Sequence, residues 1–147
     1  MSSHFYLDSS EIKRWKRYLS LVAQNYIKNT GFLDLVHLII CIYEYSVAFI
    51  ATKNNDVFKS STLLKAFPTY SEFIVYLTRI RNAAVHRPTG PYSLYDMIIK
   101  LLYHKEELND FIENIITTDD TSCYSYVACA FDTAFKSMIE NKKVGDL

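Results

Sequence analysis

Apolar positions recur at spacings of three and four along most of this chain, the period of helices with one buried side. The first such stripe is Ile12, Trp15, Leu19, Val22 and Tyr26, with Lys13, Arg14, Lys16 and Arg17 around the opposite side. Asp8-Ser9-Ser10-Glu11 has the form of a capping box at its start. Asn29-Thr30-Gly31 predicts its stop, with glycine as the left-handed terminator. The next stretch, Leu33 to Thr52, is apolar nearly all round, which predicts the central helix of a bundle. Lys53-Asn54-Asn55-Asp56 reads as the following turn, and Ser61 to Phe67 as a short helix ended before Pro68.

A further helix opens at Ser71-Glu72 and turns Phe73, Ile74, Leu77, Ile80 and Ala84 inward. Pro88, Gly90 and Pro91 stop it, which leaves His86 and Arg87 in or beside its last turn. Ser93 to Tyr103 predicts another helix, continuing with a bend through Ile116. Thr117 to Ser122 is a polar break, and a final helix over Thr121 to Asn141 carries Tyr124, Val127, Ala128, Phe131 and Phe135. The pattern predicts an all-α, up-and-down bundle of four to five main helices, forming one domain over residues 1–147 with a frayed start over 1–8.

Composition agrees with this picture. Half of the 147 residues are apolar, while glycine and proline number three each, too few for a sandwich of many turns. Sixteen basic residues balance sixteen acidic ones, so a nucleic-acid contact has to come from a local patch. Cys41, Cys123 and Cys129 lack C-x-x-C spacing and read as reduced, mostly buried cytoplasmic thiols. No basic start followed by an apolar run marks a secretory signal. Phe32 to Ala51 is long enough to span a bilayer, but Asp34, His37 and Glu44 interrupt it, so no membrane association is expected.

The densest local chemistry is Arg79-Ile80-Arg81-Asn82-Ala83-Ala84-Val85-His86-Arg87. Asn82 and His86 are four apart and share a helical side. Arg81 lies roughly 100° round from Asn82, from where a long guanidinium can swing over and clamp a phosphate. Histidine can both take and return a proton near neutrality. Arg81 falls where the apolar stripe would continue, which predicts that its charge projects into a partly buried groove. An isolated pairing of this kind also serves as a helix cap and surface ion pair.

Arg81-Asn82-Ala83-Ala84-Val85-His86 reads R-N-x-x-x-H and resembles the signature of the HEPN superfamily, small all-helical proteins of which many cut RNA without a metal. The resemblance maps the family's arginine and histidine onto Arg81 and His86, and its polar residue onto Asn82. It implies a metal-independent endoribonuclease with no cofactor, acting as a homodimer in a toxin–antitoxin or defence system. Arg81 would bind the scissile phosphate, His86 would act as acid or base, and Asn82 would orient substrate or histidine. Arg79 and Arg87 would add substrate contacts. One subgroup, paired with a nucleotidyltransferase antitoxin, has a tyrosine two residues after the histidine. Pro88 stands there in this chain, which puts nucleotidyl modification in doubt. The rival expectation is a non-catalytic helical dimerisation or interaction module, which neutrality of the chain favours.

Other groupings are weaker. Glu44, in the most apolar helix, needs a partner if buried; Arg81 supporting the site from behind is one candidate, a wet gap or a lysine the other. His37, Cys41 and Glu44 share a side, but His37 and Glu44 are roughly 10 Å apart along the axis, too far for one ion. They read as a core-facing row. Of the twelve tyrosines, Tyr92, Tyr95 and Tyr103 follow the motif; stacking on unpaired bases is one use for them, and burial with the hydroxyl at the bundle edge the commoner. His104 and Glu106-Glu107 look like an exposed helix side, and no Gly-rich phosphate loop is present.

Overall fold

The computed structural model describes residues 9–52, 65–86, 93–116 and 121–140. Every regular element among them is helical: α1 (Ser9–Asn29), α2 (Phe32–Thr52), α3 (Tyr70–His86), α4 (Leu94–Tyr103), α5 (Lys105–Ile116) and α6 (Thr121–Phe135). The chain is thus an all-α bundle, as its period predicts. Asp8 of the expected capping box, the turn at Lys53-Asn54-Asn55-Asp56 and the stop at Pro88, Gly90 and Pro91 lie outside the described residues. Most of the short helix expected over Ser61 to Phe67 does too.

Helix packing forms a ring. α1 lies against both α2 and α6, α2 against α3, and α4 bridges α3 to α6, while α5 packs on α6 and sends Phe111 into the core. The predicted stripe of α1 is real: Leu19, Val22 and Tyr26 are buried, and Trp15 is half-buried against the core. At the centre, Tyr45, Phe73, Phe111 and Phe131 have almost no exposed surface. Phe73 meets Phe111 edge-on at 5.4 Å and Phe67 at the same centroid distance. This arrangement suits the quadrupoles of the rings better than a face-to-face sandwich. α6 meets α1, α4 and α5, and α2 carries a long run of buried residues from Leu35 to Ser46. α2 leaves Leu33, His37 and Glu44 exposed along one edge.

Three boundaries differ in their physics from the sequence reading. At the α1–α2 turn it is Thr30, not Gly31, that adopts the left-handed conformation, at φ 54°. Its amide donates to the Tyr26 carbonyl at 2.6 Å, closing the end of α1. Gly31 is needed for a different reason: a Cβ there would come within 2.7 Å of Asp34 Oδ2. Asp34 in turn accepts from Asn25 Nδ2 at 2.9 Å, which locks the antiparallel α1–α2 hairpin. Second, Thr69 caps α3, its hydroxyl accepting from the Glu72 amide at 3.1 Å. Third, the bend expected near Tyr103 is a full break at His104, whose amide turns back to the Leu101 carbonyl. Ser93 caps α4, accepting from the Asp96 amide. After Phe135 the last helix widens into a π-helical turn, Lys136–Glu140, instead of running on as α-helix.

Candidate functional site on the open side of α3

α3 divides lengthwise. Phe73, Leu77, Ile80 and Ala83 are buried, and Ile74, Tyr76, Thr78 and Ala84 are half-buried beside them. Around the other half of the helix, Glu72, Val75, Arg79, Arg81, Asn82, Val85 and His86 are exposed. Three of the expected residues, Arg81, Asn82 and His86, therefore share one open arc with Arg79. Arg87 lies outside the described residues.

Arg81 does not project into a partly buried groove. At roughly 100° per residue it sits about 40° beyond Leu77, past the edge of the buried stripe, which continues through Ile80, Ala83 and Ala84. Its guanidinium turns toward the next residue. Arg81 Nη1 donates to Asn82 Oδ1 at 3.2 Å. That bond draws the cation toward the side carrying Asn82 and His86, which lie about 40° apart. Arg79 is nearly in line with His86, about 20° off and roughly 10 Å along the axis. Among the described residues, neither Arg79 nor Arg81 has a carboxylate partner. Two cations on one open arc keep their charge available to an anion.

The proposed support by Glu44 is not found. Glu44 is exposed, and its charge acts on Cys41 and Tyr18, so it belongs to the seam between α1 and α2. The residue of α2 that meets α3 is its neighbour Tyr43, whose hydroxyl is 3.3 Å from that of Thr78. One residue is roughly 100° of rotation, enough to turn Glu44 away. An exposed carboxylate needs no buried partner.

His37, Cys41 and Glu44 are likewise not a core-facing row. Only Cys41 is buried; His37 and Glu44 flank it in solvent. Tyr18 from α1 closes the seam, its hydroxyl 2.9 Å from His37 Nε2. Burial, then the nearby Glu44 charge, push the Cys41 thiol up to about 11, with Tyr18 opposing slightly. Among the described residues no group of three His, Cys, Asp or Glu is placed to hold a metal ion.

The tyrosines after the motif divide. Tyr95 is half-buried and stacks on Phe32 at 6.0 Å. Tyr103 is exposed and meets Phe135 edge-on; Tyr92 lies outside the described residues. Of the basic segment on α1, Lys13, Arg14 and Arg17 are solvated as expected. Cys123 is buried and Cys129 exposed. No helix among the described residues is long and apolar enough to cross a membrane.

Two cavities flank these elements. One, of about 410 Å³, lies where α5 meets the end of α6 and holds none of the expected residues; there Lys105 and Asp132 neutralise each other at 2.8 Å. The other, of about 360 Å³, opens beside Arg79 and includes Tyr76 and Lys100. Sequence reasoning missed both of these side chains. Lys100 lies on a different helix, and no spacing rule links it to Arg79. Comparison of the chain with protein-family models, with curated proteins and with solved structures gave no match.

Proposed function

We propose that the chain is a metal-independent endoribonuclease of HEPN type, with Arg81, Asn82 and His86 as its reacting group. The observation that carries this reading is the Arg81–Asn82 bond, which turns a guanidinium toward the amide that shares an exposed helical side with His86. Cleavage by attack of the RNA's own 2′-hydroxyl needs little more. The 2′-oxygen forms a bond to phosphorus as its proton leaves, and the bond to the 5′-oxygen breaks as that oxygen gains a proton. The products are a 2′,3′-cyclic phosphate and a free 5′-hydroxyl. Arg81 holds the non-bridging oxygens and offsets the added charge on phosphorus. His86 supplies or removes one of the two protons, and a second copy of the chain, with its own His86, the other. Asn82 keeps the guanidinium on the reacting side. A homodimer in a cytoplasmic toxin–antitoxin or defence setting, restrained by a nucleotidyltransferase-type antitoxin or another inhibitor, is the matching biological context.

The test is RNA incubation in excess chelator. His86→Ala and Arg81→Ala should each abolish cleavage while the helical circular dichroism is kept, since both side chains are exposed. Full activity in both variants would overturn the assignment. A non-catalytic dimerisation module is the second reading, favoured by Val75 and Val85, 48% and 55% exposed on the same arc. Light-scattering mass of a dimer with no cleavage under any condition would select it.

A further inference from the structure

The cavity beside Arg79 has an uneven chemistry. Phe67, Pro68, Val75 and Tyr76 give it an apolar wall, and Arg79 and Lys100 give it two cations. Glu72 is the one carboxylate among the residues lining it. Lys100 is held in place by rings: its Nζ lies 5.0 Å from the centroid of Tyr76 and 5.8 Å from that of Phe67. Contacts of this kind fix an ammonium without neutralising it. Tyr76 is itself anchored, its hydroxyl donating to the Met97 carbonyl at 2.6 Å. Lys100 has no carboxylate partner among the described residues. The start of α3 at Ser71 and Glu72 also borders the cavity, and a helix N-terminus adds partial positive charge. A ligand that fits must bring an anion and a flat apolar part.

We propose that this cavity binds one nucleotide of single-stranded RNA adjacent to the cleaved bond, its phosphate on Arg79 and Lys100 and its base against Pro68 and Val75. The proposal rests on the endoribonuclease reading for the identity of the ligand. Geometry supplies the link. Arg79 and His86 lie nearly in line along α3, roughly 10 Å apart, a distance that one or two extended nucleotide units span. A strand whose scissile phosphate sits at Arg81 and His86 therefore runs along the open arc to the cavity mouth. Arg79 stands at the junction. The ring wall tolerates any base, because every base has an apolar face. A local pair of unneutralised cations also explains how a chain of zero net charge could hold RNA.

Binding is measured apart from cleavage, with a fluorescent single-stranded 2′-O-methyl oligoribonucleotide, which has no attacking hydroxyl. Lys100→Gln and Val75→Glu should each weaken binding several-fold. Lys100→Gln should also lower the slope of log affinity against log salt by about 0.7, as for one lost phosphate contact. Lys28→Gln, an exposed lysine at the end of α1, should bind as the parent does. Unmodified RNA is assayed in parallel. If RNA is cut but Lys100→Gln changes neither binding nor KM, the cavity assignment fails and the nuclease reading stands. If binding depends on Lys100 but no RNA is cut, the nuclease reading fails and the cavity assignment stands. A parent protein that does not bind the oligonucleotide overturns the cavity assignment.

Discussion

Ser46 and Ser93 are two serines for which the same substitution should act with opposite sign. Ser46 lies on α2 with no exposed surface, and its Oγ has no hydrogen-bond partner among the described residues. A buried hydroxyl left unsatisfied costs about 1–3 kcal/mol. Ser46→Ala removes that cost and gains a few tenths of a kcal/mol in helix propensity. The void left by one oxygen takes back about as much. The net expectation is a stabilisation of about 1–2 kcal/mol. Ser93 caps α4 with its side chain, so Ser93→Ala should destabilise by about 1 kcal/mol. Urea unfolding followed by circular dichroism measures both. With a slope of about 2 kcal/mol/M, the midpoint of Ser46→Ala should rise by roughly half a molar to one molar, and that of Ser93→Ala should fall. A lower midpoint for Ser46→Ala would refute the reasoning, because it would mean the hydroxyl is hydrogen-bonded in solution.

Thr30→Gly should stabilise the fold by about 0.5–1 kcal/mol, since a β-branched residue at φ 54° carries strain that exceeds glycine's entropic cost; a lower melting temperature would count against it. Gly31→Ala should destabilise, its methyl pressing on the Asp34 carboxylate, and calorimetry would register the loss. Burial raises the phenol of Tyr45 and lifts that of Tyr76 to about 12. These groups stay neutral longer folded than unfolded, so their stability is present below pH 10 and is lost as pH rises through the folded values. Alkaline titration of the tyrosinate absorbance should thus show unfolding-linked ionisation, and independent ionisation at the ordinary value would contradict it. Finally, Glu44→Gln and Arg81→Gln should be additive in a double-mutant cycle, as the two side chains sit on different sides of the bundle's α2–α3 contact; coupling above about 0.5 kcal/mol would restore the pairing.

The helical period made the buried side of α1, most of that of α3 and the all-α class legible in the sequence. It reports which residues share a side, but not which neighbour that side meets. Glu44 and Tyr43 show the difference: both sit in the same apolar run, and only packing decides which reaches α3. Arg81 differs because the buried stripe of α3 stops at Leu77, Ile80, Ala83 and Ala84, about 40° short of it. Composition misled at α2, where an apolar helix keeps an open edge. At the α1 terminus a glycine suggests freedom of φ, whereas its missing Cβ is what Asp34 requires. The cavity at Lys100 joins α3, α4 and the segment before α3, contacts too distant in sequence for any spacing to announce.

The three thiols make α1 a helix whose departures can be timed. Cys41 is buried on the α2 side of α1, and Cys123 on the α6 side, where its sulfur lies 3.4 Å from the Lys16 carbonyl. Cys129 is exposed and should react at once with a thiol reagent. With its thiol near 11, Cys41 is almost wholly protonated at neutral pH and reacts only when the hairpin opens. The order in which Cys41 and Cys123 are then labelled reports which wall α1 leaves first, a native clock for local unfolding that needs no engineered probe.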